Sequence, residues 1–123
     1  MFADTRAYSG FAVDDLDAAR EFYGGTLGLP ATVVDEGNLM TLQLAGGRDT
    51  LVYVSPSFTP GSYTILNFEV DDIEAAVDAL TERGVEFERY DGMEQDEKGI
   101  AHFGPDIAWF KDPAGNTLSV IQT

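Results

Sequence analysis

The chain has 123 residues, 44% of them hydrophobic and 11% aromatic, which predicts a folded globular domain rather than a disordered chain. The chain contains seven Lys and Arg residues and 22 Asp and Glu residues, which gives a net charge of −15 at pH 7. This charge argues against nucleic-acid binding, which needs clustered cations to displace counterions from phosphates. The acidity is consistent with three roles: solubility or salt adaptation, attraction of a cationic ligand, or a surface for divalent cations.

Cysteine content and hydropathy narrow the class of protein further. The chain has no cysteine, which excludes a disulfide framework, a thiolate nucleophile and a sulfur-ligated metal. No apolar run approaches the ~18 residues that a membrane span needs. Residues 1–6 lack the pattern of a secretory signal. We therefore expect a cytoplasmic protein that does not associate with membranes.

The first half of the chain predicts the element order β-α-β-β-β. A strand is expected over residues 7–13, followed by a helix that Asp14 or Asp15 caps and that Gly24-Gly25 ends. Three short strands separated by turn-rich segments (36–38 and 46–49) come next, over residues 31–35, 39–44 and 50–54.

The second half predicts the same order after a Pro- and Gly-containing linker over residues 56–62. Asp71-Asp72 is expected to cap its helix and Gly84 to end it. The polar segment 91–99 is predicted to be a mobile loop, and residues 112–116 a type I turn. Strands or strand pieces are predicted over residues 63–70, 85–90, 102–103, 107–111 and 117–122.

An internal repeat links the two halves. Residues 11–19 return as residues 68–76, with six of nine positions identical and two conservatively changed. The repeat predicts one domain over residues 1–123, built from a first module (about 5–55) and a second module (about 63–123). A ligand site is then expected where the two copies face each other, lined by matching positions.

Several motifs give this pattern a family resemblance. With the repeat, the sequence resembles the vicinal oxygen chelate superfamily, which contains glyoxalase I, extradiol dioxygenases, fosfomycin-resistance enzymes and bleomycin-resistance proteins. The resemblance covers essentially the whole chain and implies an α+β fold of two tandem βαβββ modules whose sheets curl into a cup. The matching motifs are Val13-Asp14-Asp15-Leu16, Phe22-Tyr23, Leu27-Gly28-Leu29 and Asp112-Pro113-Ala114-Gly115-Asn116.

In metal-dependent members of that superfamily, His, Gln or Glu side chains hold a divalent ion in the cup. The resemblance places the corresponding positions here at Tyr8, Tyr53, Ile65 and Ser119. Isoleucine cannot coordinate a cation, and serine and neutral phenols are poor ligands. A two-residue shift of the alignment would add little beyond Asn67. We therefore expect neither a metal nor another cofactor.

The same positions predict a binding surface. Strand alternation puts Ile65, Asn67 and Glu69 on one face, and the resemblance places Trp109 at a cup-facing position. An apolar, aromatic-rich cavity of this kind suits a small organic ligand. Ordinary core packing is the alternative for each of these residues, Trp109 included.

Two ionisable residues have functional and non-functional interpretations. Glu69 stands where the first copy has Ala12. It is a candidate for binding a cationic or hydroxylated ligand, or for acting as a general base. The alternative is that it lies at a strand end, in solvent, without a special role. His102, the only histidine, follows the acidic loop and could close over a ligand, or could be a satisfied strand residue. No Asp or Ser partner that would make a triad is identifiable. The loop itself is either solvated or a lid.

The leading hypothesis is a metal-free small-molecule-binding protein, similar to the bleomycin-resistance type and linked to antibiotic resistance, that sequesters a cationic or aromatic compound and has no catalytic residue. One alternative is a metal-dependent lyase, isomerase or dioxygenase with misaligned ligands. Another is a metal-free enzyme that uses Glu69 or His102, and a third is a structural or regulatory module. Because similar proteins of this size are often homodimers, we also expect a homodimer.

Overall fold

Each half of the repeat folds into a four-stranded sheet with helical structure packed on one face. The computed structural model describes residues 1–34 and 37–123. Its chain divides into two compact units, Met1–Phe58 and Thr59–Thr123. Both follow the order βαβββ, so the predicted α+β fold class is confirmed.

In the first unit, the strand order is β1-β4-β3-β2. The first strand runs parallel to β4, and the other pairs are antiparallel. Phe11 of β1 packs against the buried ring of Tyr23, with 5.5 Å between ring centroids. The elements are β1 (Ser9–Val13), α1 (Leu16–Arg20), a π-helical segment (Glu21–Thr26), β2 (Ala31–Val34), β3 (Leu39–Leu44) and β4 (Arg48–Val54).

The second unit repeats this arrangement with the strand order β5-β8-β7-β6. The strand β5 runs parallel to β8, while β7 is antiparallel to both β8 and β6. Ile73 and Val77 of the helix are buried together with Phe110 and Leu118 of the sheet. The elements are β5 (Thr64–Glu69), α2 (Ile73–Glu82), β6 (Ala101–His102), β7 (Asp106–Lys111) and β8 (Thr117–Gln122).

The sequence repeat is also a repeat of helix caps. Asp15 has an extended backbone, and its carboxylate accepts a hydrogen bond of 3.1 Å from the backbone N–H of Ala18. Asp72, the equivalent residue of the second copy, accepts from Ala75 at the same distance. Each cap satisfies an N–H group that has no partner within its helix. Of the two candidate caps in the first copy, Asp15 is the one used.

The first helix ends later than predicted. The backbone N–H of Leu27 donates to the carbonyl of Phe22 at 2.9 Å, five residues earlier, so a widened π-helical turn continues through Gly24-Gly25. Gly28, whose φ is +73°, follows this turn. That left-handed conformation suits glycine and typically ends a helix. The glycine pair therefore lies inside the helical segment, which ends one residue after it at Thr26.

The predicted strand over residues 85–90 is also wrong. Val85 is buried and Phe87 packs on Phe110, as the alternation predicted, but Phe87 makes only an isolated bridge to that residue. The N–H of Glu88 still donates to the carbonyl of Trp109 in β7 at 2.8 Å. The carbonyl of Glu88 and the N–H of Tyr90 bond instead to the side chain of Gln95 in the following loop, so the pairing with β7 does not extend into a strand.

The remaining predicted segments fall close to the observed ones. The strands over residues 39–44 and 117–122 have the predicted bounds, and the piece at residues 102–103 is observed as Ala101–His102. In the predicted turn, the N–H of Gly115 donates to the carbonyl of Asp112 at 3.0 Å. The end of the strand predicted over residues 31–35 and the start of the turn at residues 36–38 lie outside the described residues. Within residues 1–34 and 37–123, no helix is long and apolar enough to cross a membrane.

Candidate functional site

Three of the predicted site residues lie side by side on the sheet of the second unit. Asn67 of β5 is the register partner of Ser119 of β8, and Ser119 is in turn the partner of Trp109 of β7. Partners in adjacent strands project to the same face of a sheet. The three side chains therefore form one row across three strands, which we call the Asn67–Trp109 row.

A hydrogen bond joins the two polar members of this row. The hydroxyl of Ser119 donates to the side-chain oxygen of Asn67 at 2.5 Å. Ser119 is completely buried, whereas Asn67 is exposed. Since the amide of Asn67 can donate two further hydrogen bonds, this side chain can bind a second polar group while it holds the serine.

An aromatic pair lies at the Trp109 end of the row. The rings of Trp109 and Tyr90 meet edge to face, with 5.6 Å between their centroids. Burial and the negative charge of Glu88 raise the pKa of Tyr90, so its phenol stays neutral at physiological pH. Glu88 forms an ion pair of 3.4 Å with Lys111. The sequence did not indicate Tyr90 as a site residue, because only the folded path of residues 85–90 brings its ring to Trp109.

The neighbouring row of side chains on the same face contains Glu69, the candidate carboxylate. Glu69 is the register partner of Ile121, and Ile121 is the partner of Ile107. Glu69 is exposed, so its carboxylate is hydrated. This exposure agrees with the solvated interpretation of Glu69, and it leaves the carboxylate accessible beside an apolar surface.

Ile65 does not take the regular position that strand alternation predicted. The pairing of β5 with β8 is irregular between Thr64 and Leu66, so Ile65 has no register partner. Such irregularities shift the alternation of a strand. The expected common face of Ile65, Asn67 and Glu69 is therefore interrupted at Ile65.

The two tyrosines of the first unit that were predicted as site residues lie in different local surroundings. Tyr53 of β4 is 40% exposed, and a Cβ atom at Gly10 would lie 4.0 Å from its ring. Tyr8 precedes β1 and is 61% exposed, with the guanidinium of Arg6 at 5.8 Å from its ring centroid. Tyr8 lines a small cavity of about 180 Å³ with Arg6 and Asp49.

His102 lies between two carboxylates. Its Nδ1 atom is 2.7 Å from Asp106, which is its register partner on β7, and its Nε2 atom is 3.0 Å from Asp96 in the loop. The hydrogen bond to Asp96 and, to a smaller extent, the one to Asp106 raise the pKa of His102. Partial burial opposes the ionisation of Asp96, but the bonds from His102 and from the N–H groups of Ile100 and Lys98 outweigh it and lower the pKa of Asp96.

This arrangement bears on two expectations for the acidic loop. Asp96 and Asp106 occupy both ring nitrogens of His102, so the histidine is a satisfied residue rather than a free general base. The loop is also well bonded, because Gln95 donates to Gly99 and Arg89 donates to the carbonyls of Asp96 and Glu97. This bonding argues against the predicted mobility of the loop.

The donors at the four positions aligned with metal ligands do not fit a divalent cation. Ile65 has no donor atom, and the hydroxyl of Ser119 is committed to Asn67. Tyr8 and Tyr53 contribute only phenols, which are poor ligands for hard or borderline cations. Among the described residues, no cluster of three or more His, Cys, Asp or Glu side chains is arranged to hold a metal ion.

The comparisons with known proteins agree with this architecture. A similar structure, of a superfamily member from Sphaerobacter thermophilus, is 25% identical with a TM-score of 0.69, and the match covers 96% of this chain and 98% of that one. A lactoylglutathione lyase from Agrobacterium tumefaciens is 22% identical (TM-score 0.65; 98% and 95% covered). A fosfomycin resistance protein from Mesorhizobium loti is 11% identical (TM-score 0.67; 98% and 92% covered).

Sequence comparison identifies the family. No curated protein sequence matches the chain. The family model described as Glyoxalase/Bleomycin resistance protein/Dioxygenase superfamily matches residues 6–120, which is nearly the whole chain. The chain belongs to the glyoxalase/bleomycin resistance protein/dioxygenase superfamily.

Proposed function

We propose that this protein binds a small organic molecule on the sheet face of its second unit, without a metal ion. The observation that carries the proposal is the Asn67–Trp109 row. It places an exposed amide, a buried hydroxyl and a large aromatic ring next to one another. A surface of mainly apolar groups with a few fixed polar groups is typical of sites for small molecules.

The chemistry of this face favours a planar ligand that has both a polar edge and a positive charge. The rings of Trp109 and Tyr90 offer apolar area for stacking and a negative π face for a cation. Glu69 supplies an exposed carboxylate on the neighbouring row. The net charge of −15 would raise the local concentration of any cation. A cationic aromatic compound combines these features.

The donor chemistry supports binding without a metal. The superfamily resemblance aligns metal-ligand positions with Ile65 and Ser119 in this unit, and neither supplies a carboxylate or an imidazole. The Ser119 hydroxyl already bonds to Asn67. The bond supports a role in shaping the binding surface rather than in coordination.

The alternative function is catalysis, and one neighbour favours it. The chain has the fold of a lactoylglutathione lyase. Of the two residues considered for metal-free catalysis, His102 has both ring nitrogens on carboxylates, so Glu69 is the better candidate. A metal-dependent lyase, isomerase or dioxygenase would need ligands other than the four aligned residues.

Fluorescence anisotropy of the cationic dye proflavine tests the proposal, with uncharged 1-naphthol as a competing planar ligand. We expect saturable binding of the dye that Trp109→Ala weakens at least tenfold. Phe103→Ala is the matched control because it removes another exposed ring of the same unit that lies outside the row. Equal loss in both variants, or no saturable binding, would contradict the proposal.

A homodimer and a role in resistance by sequestration are further parts of the proposal. Several large apolar side chains of the first unit are exposed, among them Tyr8, Tyr53 and Val54. Such surface favours association. Light scattering of the purified protein should give the mass of two chains, and a single-chain mass would contradict the dimer.

The cytoplasmic location expected from the sequence stays a prediction.

A further inference from the structure

Loop 91–99 and the β6–β7 hairpin are joined by one histidine. The hairpin contributes His102 and its register partner Asp106, and the loop contributes Asp96. We call these three side chains the carboxylate clamp. The bond from His102 to Asp96 joins the loop to the hairpin through side chains.

The geometry of the clamp requires a protonated ring. A neutral imidazole has one N–H donor and one lone pair, and an ionised carboxylate only accepts hydrogen bonds. Both ring nitrogens of His102 lie within 3.0 Å of carboxylate oxygens. Only the imidazolium can donate to both carboxylates at once, so a neutral ring leaves a lone pair facing a negative charge.

We propose that the carboxylate clamp is a pH-dependent switch, in which loss of the ring proton of His102 breaks the contact with Asp96 and releases the loop from the hairpin. The Asp96 contact is the longer, at 3.0 Å against 2.7 Å for Asp106. Asp96 also has other partners, since its second carboxylate oxygen accepts from the N–H groups of Lys98 and Ile100. The remaining proton therefore stays on Nδ1, facing Asp106.

The other charged groups near the clamp are engaged elsewhere or lie at its edge. Glu94 lines the cavity of about 270 Å³ that borders Asp96 and His102. Arg89 is held by loop carbonyls, and Lys98 is bonded to Asp78 of α2. Histidine is the side chain whose ordinary pKa lies closest to neutral pH, and His102 is the only one in the chain. The bonds to Asp96 and Asp106 raise that pKa.

NMR of protein labelled with ¹⁵N-histidine gives a clean test, because a single histidine gives the whole signal. We expect one titration with a pKa above 6.5, the ordinary value, and a neutral form protonated at Nδ1. Asp96→Asn and Asp106→Asn should each lower this pKa. Glu94→Gln is the matched control, since it removes a nearby charge without a bond to the ring, and it should lower the pKa less than either.

Hydrogen exchange tests the release of the loop. As pH rises through the titration of His102, the exchange rates of the Lys98 and Ile100 amides should increase by more than base catalysis of exchange alone explains. In His102→Gln, these rates should show only the base-catalysed increase. A His102 pKa at or below 6.5, or one that both Asp variants leave unchanged, would overturn the proposal. A neutral ring protonated at Nε2 would overturn it, as would equal loop protection on both sides of the titration.

Discussion

The hydroxyl of Ser119 donates a hydrogen bond of 2.5 Å to the side-chain oxygen of Asn67, across the parallel pair of β8 and β5. Ser119 stands at the position that the superfamily resemblance aligns with the last metal ligand. In this chain that position is completely buried and its donor is used within the sheet. The position aligned with a metal ligand therefore supplies a buried hydroxyl that bonds to the exposed amide of Asn67 and lies beside Trp109.

A double-mutant cycle measures this hydrogen bond. Ser119→Ala should destabilise the fold by about 1 kcal/mol, because a typical intramolecular hydrogen bond contributes about that much. In Asn67→Ala the same serine loses its acceptor, so the double variant should be less destabilised than the sum of the two single variants. Urea unfolding gives all three free energies. Simple additivity would show that the two side chains do not interact in solution.

The repeated helix caps predict a second pair of effects on stability. Asp15→Ala and Asp72→Ala should each lower the free energy of unfolding by about 1 kcal/mol, since each removes the acceptor of an N-terminal N–H group. Asp14→Ala and Asp71→Ala are matched controls, because those neighbours are exposed and do not cap the helices. If caps and controls lose the same stability, charge rather than capping is responsible.

The net charge predicts a dependence on salt. With −15 charges on 123 residues, the folded chain repels itself. Added NaCl screens that repulsion, so the melting temperature should rise between low and near-molar salt. Replacing exposed Glu21 and Glu82 by Gln should reduce the rise. A melting temperature that stays flat or falls would indicate that the acidic side chains are already balanced, for instance by a bound cation.

The carboxylate clamp predicts a window of pH in which it stabilises the fold. The pKa of His102 is raised on folding, so its contribution is complete below the unfolded value of about 6.5 and is lost as pH rises through the folded value. The pKa of Asp96 is lowered, so its contribution is lost as pH falls through that lower value.

Unfolding free energies at a series of pH values, for the wild type and His102→Gln, show this window. The wild type should exceed the variant between the two titrations, and the difference should vanish at alkaline pH. The effect should be small because His102 is exposed and its two partners are only partly buried. A difference that persists unchanged to high pH would mean that the histidine contributes through packing alone.

The repeat and the spacing of apolar residues were enough to predict much of the fold. The two caps are local, and the strand over residues 117–122 is bounded by a turn that its own residues specify. Alternation, together with the superfamily resemblance, also predicted that Asn67 and Trp109 belong to one surface. The structure places them in a single row, and ligand binding there stays a prediction.

Features that depend on which side chains meet after the chain folds could not be predicted from the sequence. The clamp needs the register that puts His102 opposite Asp106, together with a loop that returns Asp96 to the ring. Nothing in the local sequence states either condition. The segment 85–90 alternates like a strand, yet the side chain of Gln95 bonds to two of its backbone groups, the carbonyl of Glu88 and the N–H of Tyr90.

The central claim is that ligand binding needs no metal, and elemental mass spectrometry tests it most directly. The protein would be purified without chelators or nickel affinity, loaded with Mn, Fe, Co, Ni or Zn in turn, and dialysed. Because Ile65 and Ser119 offer no free ligand for a divalent ion, we expect no metal to be retained while proflavine still binds. Retention of about one metal ion per chain would contradict the claim and favour a metal-dependent enzyme.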